Sequence, residues 1–244
     1  MDARTVLITG GTRGIGRATA LQLAREGCDL ILGFASDEDS AQRTRADVEQ
    51  SGVRCDLVRA DVTTEEGVEA LFSAALGAGR RLDAVVNNAG ATLHIGPLAQ
   101  TPVSIVRRVI DLNLTAAILV ARRAVQTLGD GGVLVNVSSG AATTGSPGEY
   151  VHYAAAKAGV DALTKGLAIE VAGAGVRVVG VAPGTAETDV HAAAGDPGRP
   201  ARVAARHPMG RVATAEEVAA VIVFALSPQA SYVAGTTIRV TGGA

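Results

Sequence analysis

Thr9-Gly10-Gly11-Thr12-Arg13-Gly14-Ile15-Gly16 follows a short β-branched run and opens directly into a stretch of helical spacing. Glycines there let the chain turn sharply and let a ligand approach the backbone with no Cβ in the way. The free N–H groups and dipole of the helix start would attract a pyrophosphate. In this context the run implies dinucleotide binding, the alternative being a purely structural turn. A second pair bears on proton chemistry. Tyr153 and Lys157 are separated by Ala154, Ala155 and Ala156, so on a helix they share a face whose small residues leave room for a ligand. A phenol of pKa about 10 is poorly poised for proton transfer near neutrality, and a neighbouring ammonium stabilises its phenolate. Taken alone, the pair is better described as an ordinary helix with a buried tyrosine and a solvated lysine.

In the general dinucleotide fold, an acid about 20 residues past the glycines binds the ribose 2′-hydroxyl and favours NAD. Here that place holds Gly33-Phe34-Ala35-Ser36. Asp37, Glu38 and Asp39 begin one step later, and Ser36 with Asp39 fits a capping box, so the acids are taken as helix-start residues. Arg13 could face a 2′-phosphate, whose charge and geometry suit a guanidinium; the alternative is an ordinary solvated arginine. NADP(H) is favoured, with NAD(H) as the other option.

These residues need a scaffold, and the hydrophobic pattern supplies one. Seven short strands are expected: Thr5 to Thr9, Asp29 to Phe34, Arg54 to Arg59, Ala84 to Asn87, Val133 to Val137, Val176 to Val181 and Thr237 to Val240. Helical patterns lie between them, with Thr63/Glu66 and Thr214/Glu217 as capping boxes and Gly27 as a helix stop. Strand–helix repetition requires parallel pairing, and strands nearly continuous in Val, Ile and Leu require helices on both faces. The expectation is an α/β fold: a Rossmann-like, doubly wound, seven-stranded parallel sheet in one domain over residues 1–244. The Gly-, Pro-, Ala- and Arg-rich stretch 186–211 is expected to be a mobile excursion and not another crossover.

Composition narrows the partners. With 48% hydrophobic and 19% charged residues over 244, the chain can bury a sizeable core, and a net charge of −2 offers no general attraction to nucleic acid or anionic membranes. No apolar run approaches a membrane span and no signal peptide is evident, so a cytoplasmic protein is expected. The two cysteines, Cys28 and Cys55, have no metal-ligand spacing and are expected to be small core residues. Of 22 basic residues only Lys157 and Lys165 are lysine, which draws attention to each.

The glycine loop, Asn87-Asn88-Ala89-Gly90 and Tyr153-x-x-x-Lys157, in this order, resemble the short-chain dehydrogenase/reductase family. The resemblance spans almost the whole chain and includes Asp61-Val62, Asn113, Ser138-Ser139, Pro183-Gly184 and Thr188. It implies a nicotinamide cofactor and hydride transfer between that cofactor and a carbonyl or alcohol carbon, in a subgroup like 3-oxoacyl carrier-protein reductases and glucose dehydrogenases. Carried over by position, it implies that Tyr153 is the general acid/base, Lys157 its activator and ribose ligand, Ser139 the anchor of the substrate oxygen and Asn113 the holder of a proton-relay water. Gly10, Thr12, Arg13, Gly14, Ile15, Gly16, Phe34, Ala35 and Ser36 would form the nucleotide end of the cofactor site. Asp61 and Val62 would hold the adenine, Asn88, Ala89 and Gly90 would line the middle, and Pro183, Gly184 and Thr188 would contact the nicotinamide half. No metal is implied, and a homotetramer is, because the run Gly235 to Val240 resembles a last strand packed across a subunit boundary.

Three departures from the family pattern stand out. The spacing from Ser139 to Tyr153 is one residue longer than usual, Val178-Val179 replaces a common Val-Asn, and Thr241 occupies a place often held by aspartate. Ser139 is nevertheless chosen over Ser138. His94, Tyr150, His152 and His191 lie on segments that surround the substrate opening in the family. Arg199, Arg202, Arg206 and His207 could form a basic rim for a carrier-linked substrate, although Ala174 stands where such reductases often carry arginine. The expected activity is an NADPH-dependent carbonyl reductase of small or medium substrates. The alternatives are a nucleotide-binding sensor or scaffold, or an epimerising or eliminating enzyme of the same fold.

Overall fold

The computed structural model describes residues 4–188 and 190–244. Seven strands form one parallel sheet: β1 (Thr5–Ile8), β2 (Asp29–Phe34), β3 (Cys55–Arg59), β4 (Ala84–Asn87), β5 (Val133–Val137), β6 (Arg177–Pro183) and β7 (Thr237–Val240). Their order is β3-β2-β1-β4-β5-β6-β7, so the winding reverses between β1 and β4. In open α/β sheets ligands bind in the crevice that opens at such a reversal, beyond the carboxyl ends of the strands. The expected strands appear with end shifts of one or two residues.

Alternation within the strands explains the layers. Val6 and Ile8 of β1 join Leu30 and Leu32 of β2 on one face, under α1 (Gly14–Arg25), with Leu23 buried there. Leu7 and Ile31 point the other way, toward α3 (Glu65–Leu76), with Leu71 and Phe72 fully buried. The remaining helices are α2 (Glu38–Glu49), α4 (Val103–Ile110), α5 (Ala116–Thr127), α6 (Ala141–Thr144), α7 (Val151–Val171), α8 (Val190–Ala193), α9 (Arg199–Ala204) and α10 (Ala215–Leu226). Ile222 and Leu226 of α10 complete the α1 side, and Val120 of α5 and Ala168 of α7 the other. Cys28 and Cys55 are buried free thiols, and burial pushes Cys55 up to about 12, so both are packing residues. Among the described residues no helix is long and apolar enough to cross a membrane.

Helix starts follow local chemistry, twice one residue later than expected. Asp37, not Ser36, caps α2, its carboxylate accepting from the Ser40 backbone N–H at 3.0 Å and from its hydroxyl at 2.8 Å. An ionised acceptor outcompetes a hydroxyl at a helix N-terminus. Thr64, not Thr63, caps α3, because Asp61 Oδ1 already engages the Thr63 backbone N–H at 2.9 Å and hydroxyl at 2.7 Å. Thr214 and Glu217 form the expected reciprocal box at α10. The 186–211 stretch adds no strand to the sheet and contains the short helices α8 and α9. Its neck is closed by Glu187 N–H to Ala213 O at 2.9 Å and Ala213 N–H to Thr185 O at 3.0 Å.

A buried polar chain joins the sheet to α7. Asn87 Nδ2 donates to Asn136 Oδ1 at 3.0 Å and to Ala117 O at 2.9 Å, while Asn136 Nδ2 donates to Thr164 Oγ1 at 3.0 Å. Asn136 is fully buried, so its loss strands polar groups on both neighbours. Asn136→Ala is therefore expected to destabilise the protein by about 1–3 kcal/mol in denaturant unfolding; an unchanged midpoint would refute this account of how α7 is held.

Candidate functional site

The carboxyl ends of β1 and β4 are joined by side chains at the point where the winding reverses. Thr9 Oγ1, fully buried, accepts from the backbone N–H of Asn88 at 2.9 Å and of Ala89 at 3.0 Å. Asn88 Nδ2 returns two bonds, to Thr9 O at 3.0 Å and Gly10 O at 3.1 Å. Gly10 has φ +63°, and a Cβ there would sit 3.1 Å from Asn88 Nδ2 and 3.2 Å from Ala89 Cα. At Gly16 a Cβ would fall 2.1 Å from Gly10 O, so this glycine lets α1 begin against the loop.

From this junction a cavity of about 530 Å³ runs along the carboxyl edge of the sheet. Gly10, Thr12, Arg13, Gly14 and Ile15 line one end with Phe34, Ala35 and Ser36; Asp61 and Val62 lie beside them. Asn88, Ala89 and Gly90 follow, then Ser139, Tyr153 and Lys157, then Pro183, Gly184 and Thr188. Two expected site residues lie outside the wall. Gly16 is buried behind the loop, and Asn113, fully buried in a π-helical turn (Asp111–Thr115), spends its carboxamide on backbone. Its Nδ2 donates to Ala91 O at 2.8 Å and Val109 O at 2.9 Å, and its Oδ1 accepts from Ala91 N–H at 3.1 Å.

Tyr153 and Lys157 occupy successive turns of α7. Lys157 is buried and donates to Val137 O at 2.8 Å, with Nζ 5.7 Å from the centroid of the Tyr153 ring. An ammonium has three N–H groups, so Lys157 keeps others for the cavity it lines. Gly90 makes room: a Cβ there would be 3.4 Å from Lys157 Nζ and 2.6 Å from Asn113 Oδ1. Burial lowers Lys157 to about 8. Burial likewise pushes the Tyr153 phenol up to about 12, opposed by its hydrogen bond with Ser139. Ser139 thus faces Tyr153, whereas the Ser138 hydroxyl is buried and donates to Lys157 O at 3.2 Å. In the turn after α6, between Ser139 and Tyr153, Gly145, Ser146 and Gly148 all have positive φ.

Other expected residues separate. Tyr150 lines the cavity; His94 and His152 do not. His152 is buried, neither ring nitrogen has a partner among the described residues, and burial, then His94, lowers its pKa, which keeps it neutral at physiological pH. The side chain of His191 lies outside the described residues. Arg199 is not a rim residue: it is buried and paired with Glu149, while Arg202 pairs with Asp196. Lys165 is exposed. Asp37, expected only at a helix start, also lines the cavity, 3.4 Å from Arg13. Its position as the first acid after β2 was the available signal. Nothing local in the sequence marked the pairing of Arg199 with Glu149 and Tyr150, or the role of the Thr9 hydroxyl as an acceptor.

The fit to a nicotinamide dinucleotide rests on the lining, with Gly10 and Gly14, which carry no side chain, at one end of the cavity and buried Lys157 farther along it. The loop leaves its backbone bare toward the cavity, and Lys157 offers spare donors farther along it. Thr9→Val removes the acceptor of two buried N–H groups while keeping the side chain's shape. It is expected to weaken dinucleotide binding, measured by titration calorimetry, by roughly tenfold or more.

Residues 10–244 match the family model described as enoyl-(acyl carrier protein) reductase. An uncharacterized oxidoreductase of Escherichia coli, YgfF, is 44% identical over 242 residues, covering 97% of this chain and 98% of that protein. A 3beta-hydroxysteroid dehydrogenase of Eggerthella lenta is 39% identical, covering 100% and 94%. The crystal structure of a short chain dehydrogenase from Burkholderia cenocepacia in complex with NADP superposes with a TM-score of 0.91 at 30% identity, covering 98% and 97%.

Proposed function

The chain belongs to the short-chain dehydrogenase/reductase family, and from that premise we propose that it is an NADPH-dependent oxidoreductase interconverting a carbonyl and a secondary alcohol. The observation that carries this reading is the convergence of Ser139, Tyr153 and Lys157 on one cavity that begins at the glycine loop. When bound, the nicotinamide supplies or accepts the hydride. Ser139 and Tyr153 hold the substrate oxygen, and Tyr153 gives it a proton in the reductive direction. The phenol is raised by burial, so at neutral pH it carries the proton to be given, and its release has to be assisted as the substrate oxygen gains charge. Lys157 lies near enough to stabilise the phenolate left behind. Asn113 serves by holding Ala91, and through it Gly90, against this face.

Alcohol oxidation needs the phenolate, so it is expected to rise with pH while ketone reduction falls at alkaline pH. Tyr153→Phe should abolish turnover of a panel of ketones, alcohols and acyl thioesters, and normal turnover would remove Tyr153 from the proton step. Lys157→Arg keeps the charge but replaces a compact ammonium in a buried, shared site. It should reduce kcat by about a hundredfold or more, whereas exposed Lys165→Arg should leave kcat unchanged.

The preference for NADPH rests on Arg13, which is largely exposed and separated from Asp37 by a long 3.4 Å contact. Such a pair is weak, so Arg13 is free to turn to a 2′-phosphate. Asp37 at the same end would accept from a 2′-hydroxyl and oppose that phosphate. Arg13→Gln should therefore raise KM for NADPH about tenfold or more with little change for NADH, and Asp37→Asn should disfavour NADH. Equal effects on both cofactors would remove these roles. A homotetramer is supported by the edge position of β7 and by exposed Ile169, Phe224 and Tyr232.

A further inference from the structure

Arg199 opens α9, in the segment covering the cavity, and is only 6% exposed. Its Nε and Nη2 donate to Glu149 Oε2 at 3.1 and 2.7 Å, its Nη1 to Thr185 Oγ1 at 3.0 Å, and its Nη2 also to the Tyr150 hydroxyl. The guanidinium carbon lies 5.0 Å from the centroid of the Tyr150 ring. Tyr150 in turn meets Tyr153 edge to face, with centroids 5.5 Å apart and planes at 88°. Both tyrosines and Arg199 line the cavity. A single side chain of the covering segment therefore grips Glu149 ahead of α7, Thr185 in the loop after β6, and the Tyr150 ring laid against Tyr153.

We propose that Arg199 is a positioning residue: through Tyr150 it couples the docking of α9 over the cavity to the orientation and charge environment of Tyr153. This rests on the reading of Tyr153 as the proton donor. Two features separate the role from simple bracing. First, the contacts are directional, since a guanidinium fork fixes Glu149 and Tyr150 together and a lysine cannot. Second, the pair carries charge beside two phenols. After burial and Ser139, Tyr150 raises the proton affinity of Tyr153 and Arg199 lowers it. At Tyr150, after burial, Arg199 lowers and Glu149 raises it. The charged groups facing Tyr153 are Arg199 from α9 and Lys157 from α7 itself, while Glu149, ahead of α7, faces Tyr150 and neutralises Arg199.

The chain has three tyrosines and no tryptophan, so ring-labelled tyrosine gives three resonances with exposed Tyr232 as the internal control. In Arg199→Gln, the Tyr150 and Tyr153 resonances are expected to move and that of Tyr232 to stay. The kcat for ketone reduction should fall roughly ten- to a hundredfold, with affinity for the cofactor retained as evidence of an intact fold. The pKa governing alcohol oxidation should rise in Arg199→Gln and fall in Glu149→Gln, because one variant removes a positive charge and the other leaves it unneutralised. Arg199→Lys should keep the wild-type pH profile at reduced kcat. A Tyr153 resonance unmoved in Arg199→Gln, or profiles displaced in the same direction by both variants, overturns the proposal. Full turnover by Tyr153→Phe with the resonance shifts intact would instead overturn the proton-donor reading and leave the coupling standing.

Discussion

Four hydrogen bonds between Thr9-Gly10 and Asn88-Ala89 hold together the two strand ends from which the winding diverges. At this point neighbouring crossovers leave to opposite faces of the sheet, so no helix fills the gap and a crevice is left open. The ties give its floor a fixed shape without filling it. From there the cradle for a phosphate, the placement of Gly90 and the approach of Lys157 all follow. Thr44 adds to this by donating to Thr12 O at 2.9 Å, which pins α2 to the glycine loop.

Desolvation governs the chemistry of the cavity. The same burial that makes a phenol reluctant to ionise makes an ammonium reluctant to stay charged, so Tyr153 rises and Lys157 falls. Their two ranges move apart, which leaves a protonated phenol beside an amine near its own titration range. The wall supplies modest corrections from Ser139, Tyr150 and Arg199. Elsewhere burial is met by partners: Asp29 is held by the Arg54 guanidinium and backbone at 2.7 to 2.9 Å, which outweighs its desolvation and keeps it ionised. His152 is the contrast, a buried ring without a partner among the described residues, and it is kept neutral.

The five inner strands were legible because each is a short apolar run buried on both faces, a pattern that no surface helix shares. Gly27 and the Thr214/Glu217 box were legible because stops and caps are decided within a few residues. The misplaced caps at Ser36 and Thr63 mark where that locality fails. Asp37 accepts from the Ser40 N–H and Asp61 ties up Thr63, and these contacts move each helix start by one residue. Ser139 and Ser138 are adjacent in sequence, and only the packed structure shows that one faces Tyr153 while the other donates to Lys157 O.

The sequence by itself determined the doubly wound parallel sheet, the glycine loop at its first turn and the shared helix face of Tyr153 and Lys157, because each depends on spacing along one element. Only the tertiary structure decided what lies across from them. Glu149 and Arg199 are 50 residues apart, yet they meet beside Tyr150. Asn113 reaches back 22 residues to hold Ala91 and is thereby drawn out of the cavity wall. Contacts of that kind belong to no local pattern, since packing the helices against the sheet creates them, and they set the charge and the room around Tyr153.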